Sequence, residues 1–302
     1  MFDILFLGTG ASTPSRDHAL PAVLVRHGQD MVLLDCGEGT QRQIMISPFS
    51  FMKIGAILIT HLHGDHFYGL PGLVQTMGMM GRTEPLTIRG PEGISEAVER
   101  ILAICPGDIG FELDVDEMPP GESISVGTLT VSSFRTEHGV VSQGYLIRSP
   151  DVRGKVDAEK AKELGISGKD FSLLEAGETV NGVTLADICA PTKKGKVLAY
   201  TGDTRPCDSV KEAVKGVDVL IHEATYMKSQ AAHAKEFFHS TAAEAAETAK
   251  ECGCGVLFLV HISNRYKERG DCLKEAAEIF PVTHLPNDLS LYRTTRNGVR
   301  LV

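Results

Sequence analysis

The sequence predicts a mixed α/β (α+β) fold in which two β-sheets are sandwiched between helices. Strand-like apolar runs follow one another closely in the first part of the chain, and the short turns between them indicate hairpins. Later runs of the same kind alternate with segments that have a helical pattern. This mixture favours two sheets covered by helices over a single doubly wound parallel sheet.

The segments that predict individual elements can be read in chain order. Strands are expected at residues 2–8, 22–26, 31–37, 56–60, 129–134, 196–202, 217–223 and 256–262. Helices are expected at 93–104 and 240–253. For the second helix, Ser240 is the predicted N-cap and Gly253 the predicted end, because serine and glycine are typical of those two positions.

Composition restricts the class of protein. The chain has 302 residues, of which 42% are apolar and 23% charged, as in an ordinary globular protein. Its formal net charge of −9 argues against a surface that coats nucleic acid. No apolar run approaches the ~20 residues of a membrane span. The N-terminal residues lack the basic and apolar pattern of a signal peptide, so we expect a cytoplasmic protein that does not bind membranes.

Seven cysteines are scattered along the chain, and no two form a C-x-x-C pair. This predicts neither a disulfide framework nor a cysteine-rich zinc site, and most of the thiols are expected to be buried in a reducing cytosol. Cys252 and Cys254 are close enough in sequence to share a metal, but two thiols alone make a poor site.

The strongest chemical signal is the stretch THLHGDH, which directly follows an apolar strand-like run. His61 and His63 alternate along an extended segment and can therefore reach one ion together. After the glycine turn, Asp65 and His66 can face a second ion. Imidazole and carboxylate are both zinc ligands. In the alternative interpretation, the histidines only cap the start of a helix. That role does not require the spacing seen here.

Further ligands are expected at the ends of other strands. His138, Asp203 and His261 each follow an apolar run and can converge on the same sheet edge. Taken singly, each could equally be a core or surface residue. As a set they would complete a two-ion site, with Asp203 as the bridging carboxylate.

Several motifs in one order give the chain a family resemblance. These are FLGTGASTP, LLDCGEGTQRQI, THLHGDH, AYTGDTRPCDSV, HEAT, HSTA and HISNRY. The chain resembles the ribonuclease Z family of the metallo-β-lactamase superfamily over nearly its whole length. The resemblance implies one αββα sandwich domain spanning residues 1–302, which binds two zinc ions, with manganese or iron as alternatives. It implies one zinc on His61, His63, His138 and Asp203, and the other on Asp65, His66, Asp203 and His261.

The same resemblance implies catalytic roles. Asp65 is the expected general base in addition to being a ligand, and His239 of HSTA is the expected general acid. Glu223 of HEAT is expected to orient His239 by accepting a hydrogen bond from its ring. Without the resemblance, His239 could equally be a histidine at a helix cap. The expected phosphate-binding residues are Ser240, Thr241 and Arg265.

A segment rich in glycine and charge, residues 153–196, interrupts the rhythm of strands and helices. It is either a solvated surface excursion or an arm that contacts a partner. The resemblance implies a tRNA-binding arm in a homodimer that acts on precursor tRNA. The family's Gly-Pro pair and basic Leu-Lys-Arg-Gly stretch are absent here, so scattered lysines would have to contact the phosphates, with acidic residues in similar number around them.

Three functions are therefore considered. The first is a zinc-dependent endoribonuclease that removes the 3′ trailer of precursor tRNA. The second is a phosphodiesterase or small-ester hydrolase of the same fold, whose arm does not bind RNA. The third is a metal-containing RNA-binding module without catalysis, against which the intact ligand set and Asp65 argue.

Overall fold

The computed structural model describes residues 1–104, 108–296 and 298–302, and Cys105 lies outside them. Compact packing divides the chain into two units. The first comprises Met1–Arg148 and Val197–Val302, and the second is Ser149–Lys196. Both sheets described next belong to the first unit.

The first sheet combines antiparallel and parallel strands. Its spatial order is β15-β14-β1-β2-β3-β4-β5-β6. Pairing is antiparallel from β15 to β3 and parallel from β3 to β6. The strands are β1 (Asp3–Gly8), β2 (Ala22–His27), β3 (Asp30–Leu34), β4 (Ala56–Leu58), β5 (Leu86–Gly90), β6 (Leu113–Glu117), β14 (Ser290–Thr295) and β15 (Gly298–Leu301).

The second sheet repeats this arrangement. Its order is β13-β12-β11-β10-β9-β8-β7. The strands pair antiparallel from β7 to β10 and parallel from β10 to β13. They are β7 (Ser123–Val126), β8 (Leu129–Arg135), β9 (Gln143–Arg148), β10 (Val197–Tyr200), β11 (Val219–Glu223), β12 (Leu257–Val260) and β13 (Thr283–His284).

Helices are short throughout the described residues. They are α1 (Thr40–Met45), α2 (Gly64–Phe67), α3 (Leu70–Met79), α4 (Ile94–Ala103), α5 (Ala158–Glu163), α6 (Asp170–Glu175), α7 (Asp208–Ala213), α8 (Ala231–Glu236), α9 (Ala242–Glu251) and α10 (Gly270–Ile279). Three short 3₁₀ helices cover Phe51–Lys53, Leu185–Ile188 and Lys228–Gln230. No helix of the described residues is long and apolar enough to cross a membrane.

Alternation of side chains along the strands builds three apolar layers in the first unit. In β1, Ile4 and Phe6 face the core between the two sheets, whereas Leu5 and Leu7 face the core beneath α1, α3 and α4. The second sheet has a corresponding outer core beneath α7, α9 and α10. The rings of Phe6 and Phe258 meet between the sheets, 4.9 Å apart at their centroids. The predicted αββα sandwich is therefore confirmed.

The second unit has a small apolar core of its own, made by Ala161, Ile166, Leu174, Val183 and Ile188. Its two ends meet, because the amide of Ser149 donates to the carbonyl of Lys196 over 2.9 Å. Helix α5 is capped at its N-terminus by Asp157, whose carboxylate accepts the amide protons of Glu159 and Lys160. The unit contains eight basic and eight acidic residues and is thus electrically neutral as a whole.

The N-cap of α9 and the burial of the cysteines were both predicted from sequence. The N-cap of α9 is Thr241 rather than Ser240, because Thr241 and Glu244 form a reciprocal capping box. The hydroxyl of Ser240 instead donates to the carbonyl of Thr204. Of the described cysteines, Cys36, Cys252, Cys254 and Cys272 are buried, while Cys189 and Cys207 are partly exposed.

Candidate metal and catalytic centre

Strand ends bring the predicted ligands to one edge of the sandwich. His61 lies three residues beyond β4, and Asp203 lies three residues beyond β10. His138 follows β8 by the same number of residues, and His261 comes directly after β12. Glu223 is the last residue of β11, the strand between β10 and β12. Adjacent parallel strands thus deliver Asp203, Glu223 and His261 to a common edge.

Three imidazoles form the first half of the cluster. Nε2 of His61 lies 3.1 Å from Nδ1 of His63, which in turn lies 3.2 Å from Nε2 of His138. Oδ2 of Asp203 lies 3.7 Å from the His61 nitrogen and 3.8 Å from the His138 nitrogen. The nitrogens of the three histidines lie close enough together to hold one ion, and Asp203 borders them.

The second half of the cluster adjoins the first. Oδ2 of Asp65 lies 3.7 Å from Nε2 of His66 and 3.4 Å from Nε2 of His261. The two histidine nitrogens are 3.3 Å apart. Oδ1 of Asp203 is 3.4 Å from the His66 nitrogen. The two oxygens of Asp203 therefore face different halves of the cluster.

The donor set fits divalent cations. Oδ1 of Asp203 is buried and has no hydrogen-bond partner among the described residues. A buried carboxylate oxygen of this kind is costly unless a cation or a donor reaches it. Burial would raise the pKa of Asp203, but the charges of His261 and His66 outweigh burial and hold the pKa far below its usual range. Asp203 is therefore ionised, as a ligand must be.

The imidazoles differ in their proton affinity. Burial lowers the pKa of His61 and of His138, which favours the neutral ring that a metal requires. Burial would also lower the pKa of His66, but Asp203 and Asp35 outweigh it and raise that pKa. The carboxylates that stabilise a proton on His66 would equally stabilise a cation held there.

Asp35 orients two of the ligands and was not among the residues predicted from sequence. Its Oδ2 lies 2.7 Å from Nδ1 of His66 and accepts the hydroxyl protons of Tyr200 and Thr60 over 2.7 and 3.0 Å. The Thr60 hydroxyl lies 3.0 Å from Nδ1 of His61. With their Nδ1 atoms engaged, both histidines direct Nε2 toward the cluster. Asp35 is fully buried.

Glu223 organises the other side of the cluster. One carboxylate oxygen, Oε1, lies 2.8 Å from Nδ1 of His239 and accepts the amide proton of Ser240 over 3.0 Å. The other, Oε2, accepts the amide and hydroxyl protons of Thr225 over 2.9 and 2.7 Å. The Thr225 hydroxyl is also 2.8 Å from Nδ1 of His261. Glu223 therefore supports both His239 and, through Thr225, the ligand His261. Thr225, too, was missed from sequence.

His239 stands beside the ligands with one nitrogen available. Its Nε2 has no hydrogen-bond partner within the described residues, and its ring lines a cavity. Burial would lower the pKa of His239, but the Glu223 carboxylate outweighs burial and raises the pKa to about 9. The raised pKa favours the protonated ring, in which Nε2 carries a hydrogen.

The three residues predicted to bind phosphate differ in their exposure. Ser240 and Thr241 are fully buried, and their hydroxyls are bonded to Thr204 and Glu244. Neither offers an exposed group to a phosphate. Arg265 is exposed, and its guanidinium lies 4.7 Å from the centre of the Tyr226 ring.

Backbone strain concentrates around the cluster. Asp35 and His261 both have φ of +56°, and Ser12 and Phe238 have φ of +61° and +58°. Such values are uncommon for residues other than glycine and are typical of functional sites. The carbonyl of Phe238 lies 3.1 Å from Nδ1 of His138, and the amide of Ser12 donates to Oδ2 of Asp65 over 2.8 Å.

Known proteins share this architecture. A family model described as "Beta-lactamase superfamily domain" matches residues 174–262, and one described as "Anti-Pycsar protein Apyc1" matches residues 2–152. A protein of Bacillus licheniformis named "Ribonuclease Z" is 41% identical over 292 residues, covering 93% of this chain and 95% of its own length. The chain belongs to the ribonuclease Z family.

Two further relatives extend this likeness. A protein of Methanosarcina mazei, also named "Ribonuclease Z", is 40% identical and covers 96% of this chain and 97% of its own length. The crystal structure of the short form of human tRNase Z superposes with a TM-score of 0.72 at 28% identity, covering 97% of this chain and 99% of its own. Sequence and structure therefore assign the whole chain to ribonuclease Z, a family of the metallo-β-lactamase fold.

Proposed function

We propose that this protein is a zinc-dependent endoribonuclease that removes the 3′ trailer from precursor tRNA. Cleavage would leave a 3′-hydroxyl on the tRNA and a 5′-phosphate on the trailer. The observation that carries this proposal is the cluster of histidine and aspartate ligands with His239, held at Nδ1 by Glu223, at its side. Membership of the ribonuclease Z family supports the choice of RNA as substrate.

The cluster would hold two zinc ions, one on His61, His63 and His138, the other on Asp65, His66 and His261, with Asp203 shared. Zinc ions in such a site lower the pKa of water and stabilise negative charge on a phosphoryl group. Elemental analysis of metal-loaded protein should give two ions per chain, and His66→Ala should lose mainly one of them. One ion or none in the unaltered protein would contradict the assignment.

Asp65 and His239 would handle the protons of the reaction. His66 and His261 keep the pKa of Asp65 low despite burial, so that Asp65 is ionised and can accept a proton from the attacking water. His239 would donate a proton to the departing 3′-oxygen of the tRNA, which otherwise leaves as an alkoxide. Glu223 fixes the ring so that Nε2 remains free for this transfer. Arg265 is proposed to contact a phosphate.

The direct test is cleavage of a precursor tRNA, with the new ends mapped. His239→Ala should lower kcat by about 10²–10⁴-fold while both metals are retained. The kcat of the unaltered protein should fall as the pH rises and His239 loses its proton. Because bound cations lower the pKa of a neighbouring imidazolium, we expect this basic limb at or below about pH 9. Metal loss in His239→Ala would show that the residue is a ligand.

A second candidate is a phosphodiesterase that acts on small substrates. It is favoured by one observation, the neutral charge of residues 149–196, which gives RNA no general electrostatic attraction there. Hydrolysis of a chromogenic phosphodiester without cleavage of any precursor tRNA would support this candidate over the first. The two assays performed side by side on one preparation separate them.

For the segment 153–196 we propose that it binds the body of the tRNA. Its lysines at 155, 160, 162, 169, 193, 194 and 196 supply cations for phosphate contacts. Because each lysine–phosphate contact releases counterions, tRNA binding by this segment should weaken as the salt concentration rises.

We also propose that the protein acts as a cytoplasmic homodimer. Helices α1 and α3 are joined by a hydrogen bond from Gln41 to Thr76 and end in four exposed apolar residues. These residues, Met45, Ile46, Met79 and Met80, are the apolar surface on which the proposal of a dimer rests. Light scattering of the purified protein tests the assembly, and a monomeric mass at working concentration would refute it.

A further inference from the structure

Two groups of cavities flank the metal cluster without sharing a lining residue. On one side, a cavity of about 580 Å³ is lined by His239, Arg205 and Lys235, and it shares Glu137 with a cavity of about 590 Å³ lined by His138. On the other side lie a cavity of about 430 Å³ lined by Asp65 and one of about 490 Å³ next to it. We call the second pair the Asp65 groove.

The Asp65 groove is continuous. Its two cavities share Pro14 and Glu38 as lining residues. The part nearest the cluster also contains Tyr68, whereas the distal part contains Arg16 and Arg42. An extended chain could therefore pass from the cluster along Pro14 toward the two arginines.

The direction of the reaction decides which RNA segment enters each side. The proposed proton donor to the 3′-oxygen of the tRNA is His239, so the end of the tRNA lies on the side of the His239 cavity. The nucleotides beyond the scissile phosphate must leave the cluster elsewhere. The Asp65 groove is a cavity open from the cluster that His239 does not line.

Tyr68 offers a surface for a base. Tyr68 is 64% exposed, although it directly follows the helix that carries Asp65 and His66. A Cβ added at Gly64 would lie 2.5 Å from a ring carbon of Tyr68, so only glycine at this position leaves room for the ring. An exposed aromatic ring in a nucleic-acid site typically stacks on a base, which contributes about 1–3 kcal/mol per base.

Arg16 and Arg42 offer charges for phosphates. Both are exposed, and neither has a carboxylate partner within 4 Å in the described part of the chain. Other arginines, such as Arg89 and Arg205, are paired with acids. Four carboxylates, Asp17, Glu38, Asp65 and Asp288, also line the groove, so its overall field does not attract phosphate. Binding there would depend on direct contacts with the individual guanidinium groups.

The wall of the groove is held in place by several hydrogen bonds. Asp288 accepts protons from the amide and hydroxyl of Thr9, over 3.0 and 2.7 Å, and from the amide of Ala19 over 2.6 Å. Nδ2 of Asn264 donates to the carbonyl of Thr13 over 2.7 Å. The loop between Thr9 and Ala19, which carries Pro14 and Arg16, is therefore a fixed surface rather than one that must be ordered by the ligand.

We infer that the Asp65 groove binds the first nucleotides of the 3′ trailer. Tyr68 stacks on the base that follows the scissile phosphate, and Arg16 and Arg42 bind phosphates further along the trailer. This assignment rests on the proposed ribonuclease function and adds to it a binding site for the segment that is removed.

The test compares two precursor tRNAs with the same tRNA body, one with a single trailer nucleotide and one with a long trailer. Arg16→Ala and Arg42→Ala should each raise KM for the long trailer by roughly 10–150-fold, as expected for one lost charged hydrogen bond. Neither should change KM for the single nucleotide, whose trailer does not reach them. Arg100→Ala, which alters an exposed arginine on α4 outside the groove, should leave both substrates unchanged.

Tyr68 should affect both substrates, since its base is present in each. Tyr68→Leu keeps an apolar side chain over Gly64 but removes the ring, and should lower kcat/KM by roughly 5–150-fold. Tyr68→Phe should retain cleavage. Hydrolysis of a chromogenic phosphodiester, which has no trailer base, should be the same in all three proteins.

The possible outcomes distinguish failure of the trailer-binding assignment from failure of the proposed ribonuclease function. Equal effects of the arginine variants on short and long trailers would overturn the trailer assignment while leaving the ribonuclease intact. So would a Tyr68→Leu protein as active as Tyr68→Phe on both precursors. If the unaltered protein cleaves neither precursor, the proposed function itself fails, and the assignment of the groove fails with it.

Discussion

Replacement of Asp35 by asparagine tests whether a residue that touches no ion controls the metal centre. Asp35 supports His66 directly and His61 through Thr60. Asparagine has the same shape, and it tolerates the left-handed backbone at φ of +56° better than alanine would. Asp35→Asn therefore changes the charge and one acceptor with little change in packing.

The expected magnitude follows from the hydrogen bonds. Oδ2 of Asp35 has three partners, and Oδ1 accepts the amide proton of Thr60 over 2.7 Å. If the asparagine oxygen takes the place of Oδ2, its NH₂ group faces the Thr60 amide, and two donors oppose each other. Leaving one buried donor unsatisfied costs about 1–3 kcal/mol. The three remaining bonds also lose their charge, so we expect about 2–4 kcal/mol less stability in the metal-free protein.

Metal affinity should fall with this loss of orientation. Changes to groups that hold a ligating histidine typically cost 10–100-fold in affinity, or about 1.4–2.7 kcal/mol. Competition with a chelator of known affinity measures the change, and urea unfolding of the metal-free protein measures stability. Asp114→Asn is the matched control, because Asp114 is half exposed and pairs with Arg89 rather than with a metal-binding residue. Zinc affinity within twofold of the control would refute the role of Asp35.

Three further changes probe other parts of the molecule. Glu223→Gln should lower the pKa of His239 and shift the basic limb of the kcat profile to lower pH; an unmoved limb would remove Glu223 as its partner. Burial would raise the pKa of Asp3, but hydrogen bonds from Arg293 and Arg26 hold it below the usual value. Asp3 therefore stabilises the fold above its unfolded pKa of about 3.9, and this contribution is lost as the pH falls through the lower folded value. As the pH falls, the free energy of unfolding of Asp3→Asn should therefore decrease less than that of the unaltered protein. Urea unfolding of both metal-free proteins measures this, and equal decreases in the two proteins would contradict the role of the ion pairs. Replacing 153–196 by a Gly-Ser linker should raise KM for precursor tRNA strongly and leave chromogenic phosphodiester hydrolysis nearly unchanged; an unchanged KM would make the segment a surface excursion.

The candidate metal cluster could be predicted from sequence because its residues lie either in one short motif or at the ends of apolar strands. His61, His63, Asp65 and His66 lie within one short stretch, where spacing alone indicates metal binding. The more distant Asp203 was found because an apolar strand delivers it to the sheet edge, and the structure places it between the two halves of the cluster. The fold class followed from the same alternation of apolar runs and helices.

What escaped prediction depends on contacts between residues far apart in sequence. Nothing near Asp35 indicates that His66 and Tyr200, which come from other elements, converge on its carboxylate. Thr225 sits between Glu223 and His261 only because β11 and β12 are neighbours. Left-handed backbone at non-glycine residues also has no sequence signal, since it is imposed by the surrounding structure.

The meeting of both ends of the inserted unit has a consequence for how its length can vary. Strands β9 and β10 remain paired up to Arg148 and Val197, and Ser149 bonds to Lys196 directly beyond them. The chain thus leaves and re-enters the sheet at one point, whatever lies between. The entropy of closing such a loop grows only logarithmically, by about 0.6 kcal/mol for each doubling of its length. Descendants of this sequence could lengthen, shorten or exchange the insertion at small thermodynamic cost, while the sheet that carries Asp203 kept its register.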